Sequence, residues 1–316
     1  MPDRMPESPA DKPSDKPSDK ADVPLSRIER LALRFAEFAN DDPRGKWLQT
    51  RFLRSVSYVW VRAAIAQRML VDGLDDMIAL RPESGVMLVS NHRSFFDQYA
   101  MLLACYMGQV PWSKRLYFPV RSNFFYDQPL GIVVNAAVAA GAMYPPIYRQ
   151  SDRRALNDDA LARMVEIVRQ RDNVLGMHPE GTRGKGPDPY KFLPAQPGVG
   201  KLALVAQPVV IPAFQLGLGN NILDDIRVNF TRAARRERAI VTVFGPPVDY
   251  RDLCAEKPRP TLYKKCADRF MTEVGKLGAR EQELRADLAA GRISDDDPRW
   301  LNNRPVSKLY AREGHE

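Results

Sequence analysis

His92 and Asp97 stand five positions apart in the stretch Ser90-Asn91-His92-Arg93-Ser94-Phe95-Phe96-Asp97. An imidazole held by a carboxylate is a general base: the carboxylate fixes the tautomer and supports the imidazolium as the proton arrives. In a continuous helix, residues five apart point about 140° away from each other, so this pair meets only where the chain bends. The preceding run Val86-Met87-Leu88-Val89 is short, apolar and bracketed by Gly85 and Ser90, which reads as a buried strand. The pair therefore falls between a strand and a helix, where α/β sheets present side chains to ligands. Taken alone, the same spacing also fits a satisfied structural histidine.

Two further stretches carry groups suited to an anionic substrate, Gly141-Ala142-Met143-Tyr144-Pro145-Pro146-Ile147-Tyr148-Arg149 and His178-Pro179-Glu180-Gly181-Thr182-Arg183. Arg149 and Arg183 offer forked guanidinium groups for bidentate phosphate contact. Gly181 and Thr182 allow close approach of backbone and hydroxyl. Together with Asn91-His92 to Asp97 and with Val209-Val210-Ile211-Pro212, these stretches resemble the four ordered motifs of the glycerolipid acyltransferases, the lysophosphatidic-acid acyltransferase family. The resemblance covers roughly residues 70 to 250.

That resemblance implies an α/β fold, a mixed and mainly parallel sheet covered by helices on both faces. It implies acyl transfer from a thioester, acyl-CoA or acyl-carrier protein, to a lysophospholipid, foremost 1-acyl-sn-glycerol-3-phosphate, with no further cofactor. It casts His92 as base and Asp97 as its orienter. The positions matching Arg149, Glu180, Gly181, Thr182 and Arg183 bind the glycerol phosphate in the family, and Pro212 matches a proline of the acyl-donor side. The second motif departs from the family pattern, since Pro145-Pro146-Ile147-Tyr148 precede Arg149 where many members place phenylalanine and isoleucine. That departure bears on acceptor specificity. Glu180 does not attract phosphate; it would hold Arg183 or Arg149 in place, or accept a bond from a glycerol hydroxyl.

Other chemistries find less support. A thioester is already activated, so no covalent intermediate is needed, and the chain has no G-x-S-x-G nucleophile motif. Cys105 lies in an apolar helix and reads as core. His178-Pro179-Glu180 begins a zinc-deaminase signature whose second half, P-C-x-x-C, is missing. In Gly184-Lys185-Gly186 a glycine stands where a Walker A motif needs Ser or Thr. With His92, His178 and His315 as the only histidines, a metal centre is not expected. Arg232, Arg235, Arg236 and Arg238 form a basic run outside any nucleic-acid motif, so a solvated or membrane-facing surface is expected and no nucleic-acid partner. Two other readings stay open: an acyltransferase for another lyso-lipid or glycerol-3-phosphate, and a peripheral lipid-binding protein without turnover.

A net charge of +8 favours anionic partners, among them acidic lipids and CoA. The three cysteines have no metal-binding spacing, and neither a signal peptide nor an apolar run of about 20 residues stands out. The expectation is a cytoplasmic protein, peripheral at the inner face of the membrane. Residues 1–24 are polar and proline-rich and predict a disordered tail. Residues 25–70 predict a pair of amphipathic helices, the first capped by Ser26 and Glu29 with Ile28, Leu31, Phe35 and Phe38 on one face. The second should run from about Trp47 to Leu70 with a Phe52, Val56, Val59, Ala63, Leu70 stripe. Such stripes either pack on the core or lie on an anionic membrane surface. Residues 71–250 alternate strands and helices and form the expected catalytic domain, and 251–316 a helical extension.

Overall fold

The computed structural model describes residues 25–126, 128–148, 154–231 and 236–304. The expected disordered tail, Arg149, Arg232 and Arg235 lie outside the described residues.

The eight strands are β1 (Met69–Asp72), β2 (Val86–Ser90), β3 (Arg115–Tyr117), β4 (Val120–Arg121), β5 (Pro146–Ile147), β6 (Asn173–Met177), β7 (Val209–Leu216) and β8 (Ile240–Phe244), counted among the described residues. Six of them form one sheet in the order β1-β8-β7-β2-β6-β3, and β4 pairs with β5 in a separate small ribbon. Neighbours in the large sheet are parallel except β7 and β8. Every residue of β2 and of β8 is buried, so helices must cover both faces of the sheet. The architecture is the mixed, mainly parallel α/β fold read from the sequence.

The helices are α1 (Arg27–Asp41), α2 (Pro43–Phe52), α3 (Tyr58–Ile65), α4 (Leu74–Ala79), α5 (Asp97–Met107), α6 (Ser122–Phe125), α7 (Pro129–Ala139), α8 (Arg154–Arg169), α9 (Pro197–Ala206), α10 (Ile222–Asn229), α11 (Arg251–Cys254) and α12 (Pro260–Ala289). The long helix α12 packs along α9, β7 and β8 with Phe270, Val274 and Leu284 fully buried. Its crossing with α9 is so close that a Cβ on Gly200 would meet the Tyr263 carbonyl oxygen at 2.0 Å. Beyond it Trp300 is fully buried and bridges to Leu70 on β1. Residues 251–304 are thus built into the core.

The N-terminal helices differ from expectation in two ways. The Ser26–Glu29 capping box is present, but the second helix passes through a wide π turn at Leu53–Ser57 and stops at Ile65. Leu70 lies in β1, where parallel pairing with β8 overrides the helical pattern. The apolar stripes also face outward. Ile28, Leu31, Phe35, Phe38, Val56 and Val59 are exposed, and the small residues Ala32, Ala36 and Ala39 make the inward contact of α1. A buried polar knot completes the attachment: the Lys46 ammonium donates to Asn40 Oδ1, Gln49 Oε1 and the Leu116 carbonyl, and lies over the Tyr117 ring. Desolvation holds the Lys46 pKa well below the usual lysine value, and Arg115 adds to the effect.

Candidate active site

β2 lies between β7 and β6, with the preceding strand β1 on the β7 side and the following strand β3 on the β6 side, so its carboxyl end is a topological switch point. Val89 is in register with Met177 on one side and Pro212 on the other. The residues that follow β2 and β6 therefore emerge side by side.

His92 follows β2, and Asp97 is the first residue of α5. The bend between them brings His92 Nδ1 to 3.1 Å from Asp97 Oδ2. The same oxygen accepts the backbone N–H groups of Arg93 and Ser94 at 2.8 and 2.9 Å. Asp97 Oδ1 accepts from Gln215 Nε2 at 3.2 Å, and Thr242 Oγ1 donates to Gln215 Oε1. Asn91 exchanges two hydrogen bonds with the Gln215 backbone, locking the start of the bend to β7. The carboxylate at Nδ1 accepts, so Nδ1 carries the hydrogen and Nε2 is left with its lone pair. Asp97 is buried and the His92 side chain is 21% exposed, which suits a base that must meet a substrate. No local pattern marks Gln215 or Thr242, because their relevance depends on register between distant strands.

Glu180 holds backbone. Its Oε1 accepts the His92 backbone N–H at 2.9 Å and its Oε2 the Leu193 N–H at 2.8 Å. Among the described residues it makes no ion pair with Arg183; it is a clamp between the histidine loop and the loop before α9. Desolvation raises its pKa, against the lowering effect of those two N–H donors. Gly184 N–H returns a bond to the His92 carbonyl at 2.8 Å, so the two loops are stitched together. Gly181 has φ +64, a conformation that favours glycine, and closes a turn onto the His178 carbonyl. Thr182 and Arg183 are partly exposed, and Arg183 Nη1 donates to Asn220 Oδ1 at 2.7 Å.

Arg121 was not anticipated. Its Nε and Nη2 both donate to the Gly181 carbonyl, at 3.2 and 2.7 Å. Pairing of Arg121 with Ile147 sets the segment leading to Arg149 beside it. No motif in the sequence marks Arg121; the short ribbon alone brings it to the site. Pro212 sits within β7, and its carbonyl accepts Gly245 N–H at 2.9 Å.

His178, set aside above as half of a zinc motif, stacks on His92 with ring centroids 3.9 Å apart and planes 6° from parallel. Desolvation, assisted by the neighbouring His92, pushes its pKa down to about 3. Among the described residues no group of three or more His, Cys, Asp or Glu side chains could hold a metal ion. Nor is any helix of the described residues long and apolar enough to cross a membrane.

Residues 68–214 match the family model described as Acyltransferase. A search of curated proteins returned no match. Among solved structures, the chain is similar to the 1-acyl-sn-glycerophosphate (LPA) acyltransferase PlsC from Thermotoga maritima, at 16% identity and a TM-score of 0.45, over 79% of this chain and 88% of that one. The matched span holds His92, Asp97, the Glu180–Arg183 turn and Pro212.

Proposed function

We propose that this enzyme transfers a fatty acyl group from acyl-CoA or acyl-carrier protein to the free hydroxyl of a lysophospholipid, 1-acyl-sn-glycerol-3-phosphate, giving phosphatidic acid. The observation that carries the reading is the His92–Asp97 pair, which leaves Nε2 as the free base of a partly open imidazole. In the reaction, Nε2 takes the acceptor hydroxyl proton as the oxygen attacks the thioester carbon. The tetrahedral intermediate collapses, the C–S bond breaks, and the leaving thiolate recovers the proton from His92. Arg183, Thr182 and Arg121 stand around the turn where the acceptor phosphate would sit, and the resemblance adds Arg149. Guanidinium groups suit that anion through paired, charge-assisted hydrogen bonds.

The acceptor and product are lipids, and the outward apolar residues favour docking of the N-terminal helices at an anionic membrane surface. Trp47 and Leu48 on α2 and Leu130 and Val133 on α7 are exposed in addition to the α1 and α3 residues. Arg27, Arg30, Arg34, Arg44 and Arg51 are exposed on α1 and α2. An apolar face with a basic surround matches an anionic interface. We infer a peripheral position at the cytoplasmic face of the membrane.

The test is release of free thiol from long-chain acyl-CoA, with and without lysophosphatidic acid, by wild type and His92→Ala. Release that needs both the acceptor and His92 is the expected result. A folded, active His92→Ala variant would refute the mechanism. Lipid binding without thiol release from any acyl thioester, with any lyso-lipid or glycerol-3-phosphate, would establish a binding protein instead.

A further inference from the structure

His178 follows β6 as His92 follows β2, and the parallel register carries the two rings into face-to-face contact. Its Nδ1 lies 3.0 Å from the Asn91 carbonyl oxygen, 3.4 Å from that of Ser90 and 3.0 Å from Ser90 Oγ. Carbonyl oxygens only accept, so Nδ1 carries the hydrogen. Nε2 is then an unprotonated acceptor, sealed from solvent and with no hydrogen-bond partner among the described residues. The groups around the ring are Ser90 and Asn91 from the end of β2 and the stacked His92 from the following loop.

The contact does something for His92 that Asp97 cannot. One hydrogen bond at Nδ1 fixes one edge of the imidazole and leaves the ring free to tilt about that point. A flat, rigid neighbour at 3.9 Å removes the tilt. It also offers an aromatic face to the imidazolium formed during proton transfer. We infer that His178 is a positioning residue: a neutral, Nδ1–H imidazole whose face sets the plane of His92 and hence the direction of the Nε2 lone pair. This rests on the proposed role of His92 as base, and the experiment separates the two.

His178→Ala removes the face. His178→Phe keeps a flat ring and removes both nitrogens. In thiol-release kinetics, the alanine variant should lose about 10-fold or more in kcat, as misaligned reacting groups do. Its acceptor KM should stay within about 2-fold of wild type, because the Gly181 N–H bonds to the His178 backbone carbonyl, which the substitution keeps. The phenylalanine variant should recover most of the lost kcat. Independently of turnover, nitrogen-15 spectra of histidine-labelled protein should show His178 as the Nδ1–H tautomer. The His92 Nδ1 proton should be visible in wild type and His178→Phe and broadened by solvent exchange in His178→Ala.

Wild-type kcat in the alanine variant, a loss confined to KM, or a phenylalanine variant as impaired as alanine would overturn the inference. So would an Nε2–H tautomer, or an unchanged His92 proton signal in His178→Ala. If the wild type itself released no thiol, the functional reading would fall while the spectra still decided whether His178 holds the His92 ring.

Discussion

Replacing His178 with phenylalanine should change how stability depends on acid, and the size of the effect follows from the site. The His178 imidazole has an ordinary pKa of 6.5 when unfolded and about 3 in the folded protein, chiefly because folding strips it of water. Between those values the unfolded chain binds a proton that the native state does not, so stability rises with pH across this window and is lost as pH falls. Above 6.5 both states are neutral and the group contributes no slope. At pH 5, 1.5 units below the unfolded value, the loss is about 2 kcal/mol at 1.36 kcal/mol per unit. The amount hardly depends on the native value, because pH 5 lies well above it. Phenylalanine has no proton to bind in either state, so this component vanishes. Denaturant unfolding of wild type and His178→Phe at pH 7.5 and pH 5 provides the measurement, with urea midpoints converted through a shared m-value. We expect the wild type to lose about 2 kcal/mol more than the variant over that interval. Equal losses to within about 0.5 kcal/mol would mean that the folded ring takes a proton freely, and would refute the reasoning from desolvation.

Glu180→Gln should destabilise the protein by about 1–3 kcal/mol, because the amide turns one of two acceptor oxygens into a donor facing a backbone N–H. Since one of those N–H groups belongs to His92, thiol release should show a fall in kcat larger than any change in acceptor KM; a change in KM alone would return Glu180 to the acceptor site. Leu31→Glu together with Val59→Glu alters two exposed positions and should leave stability within about 1 kcal/mol. The same pair should weaken cosedimentation with vesicles containing phosphatidylglycerol, and unchanged cosedimentation would remove the N-terminal helices from the membrane contact.

What could be read before the structure was whatever is local. The run Val86–Val89 is apolar without interruption because β2 is buried on both faces, and His92 and Asp97 follow within one turn. β8, Ile240 to Phe244, is equally continuous and equally buried. Leu70 was misplaced because Met69-Leu70-Val71 extends the apolar pattern of the helix before it. Its strand exists only through pairing with Ile240 to Val243, some 170 residues later. The orientation of the first helices was hidden too. Periodicity finds the face carrying large apolar residues, whereas α1 docks by its alanines and α2 by a buried lysine. Size and periodicity then point the wrong way, which is the expected signature of an apolar face reserved for something other than the core.

The site shows the same division more sharply. Motif residues that touch each other within a few positions kept their expected partners, as His92 and Asp97 do. Residues whose partners lie across strands changed meaning. The family resemblance groups Glu180 with the acceptor-binding positions. In space both its oxygens are taken by backbone N–H groups, one from the loop after β2 and one from the loop before α9. His178 looked like a fragment of a metal motif, yet the neighbour that defines it is His92, on the adjacent strand end. Both follow from β2 lying between β6 and β7, since that order turns three separate strand ends into one surface. Spacing along the chain therefore identifies the His92–Asp97 pair, while strand order decides which other residues hold it. A fold with β2 at an edge would leave His92 and Asp97 intact but would strip away the Gln215 support on one side or the His178 face and Glu180 clamp on the other.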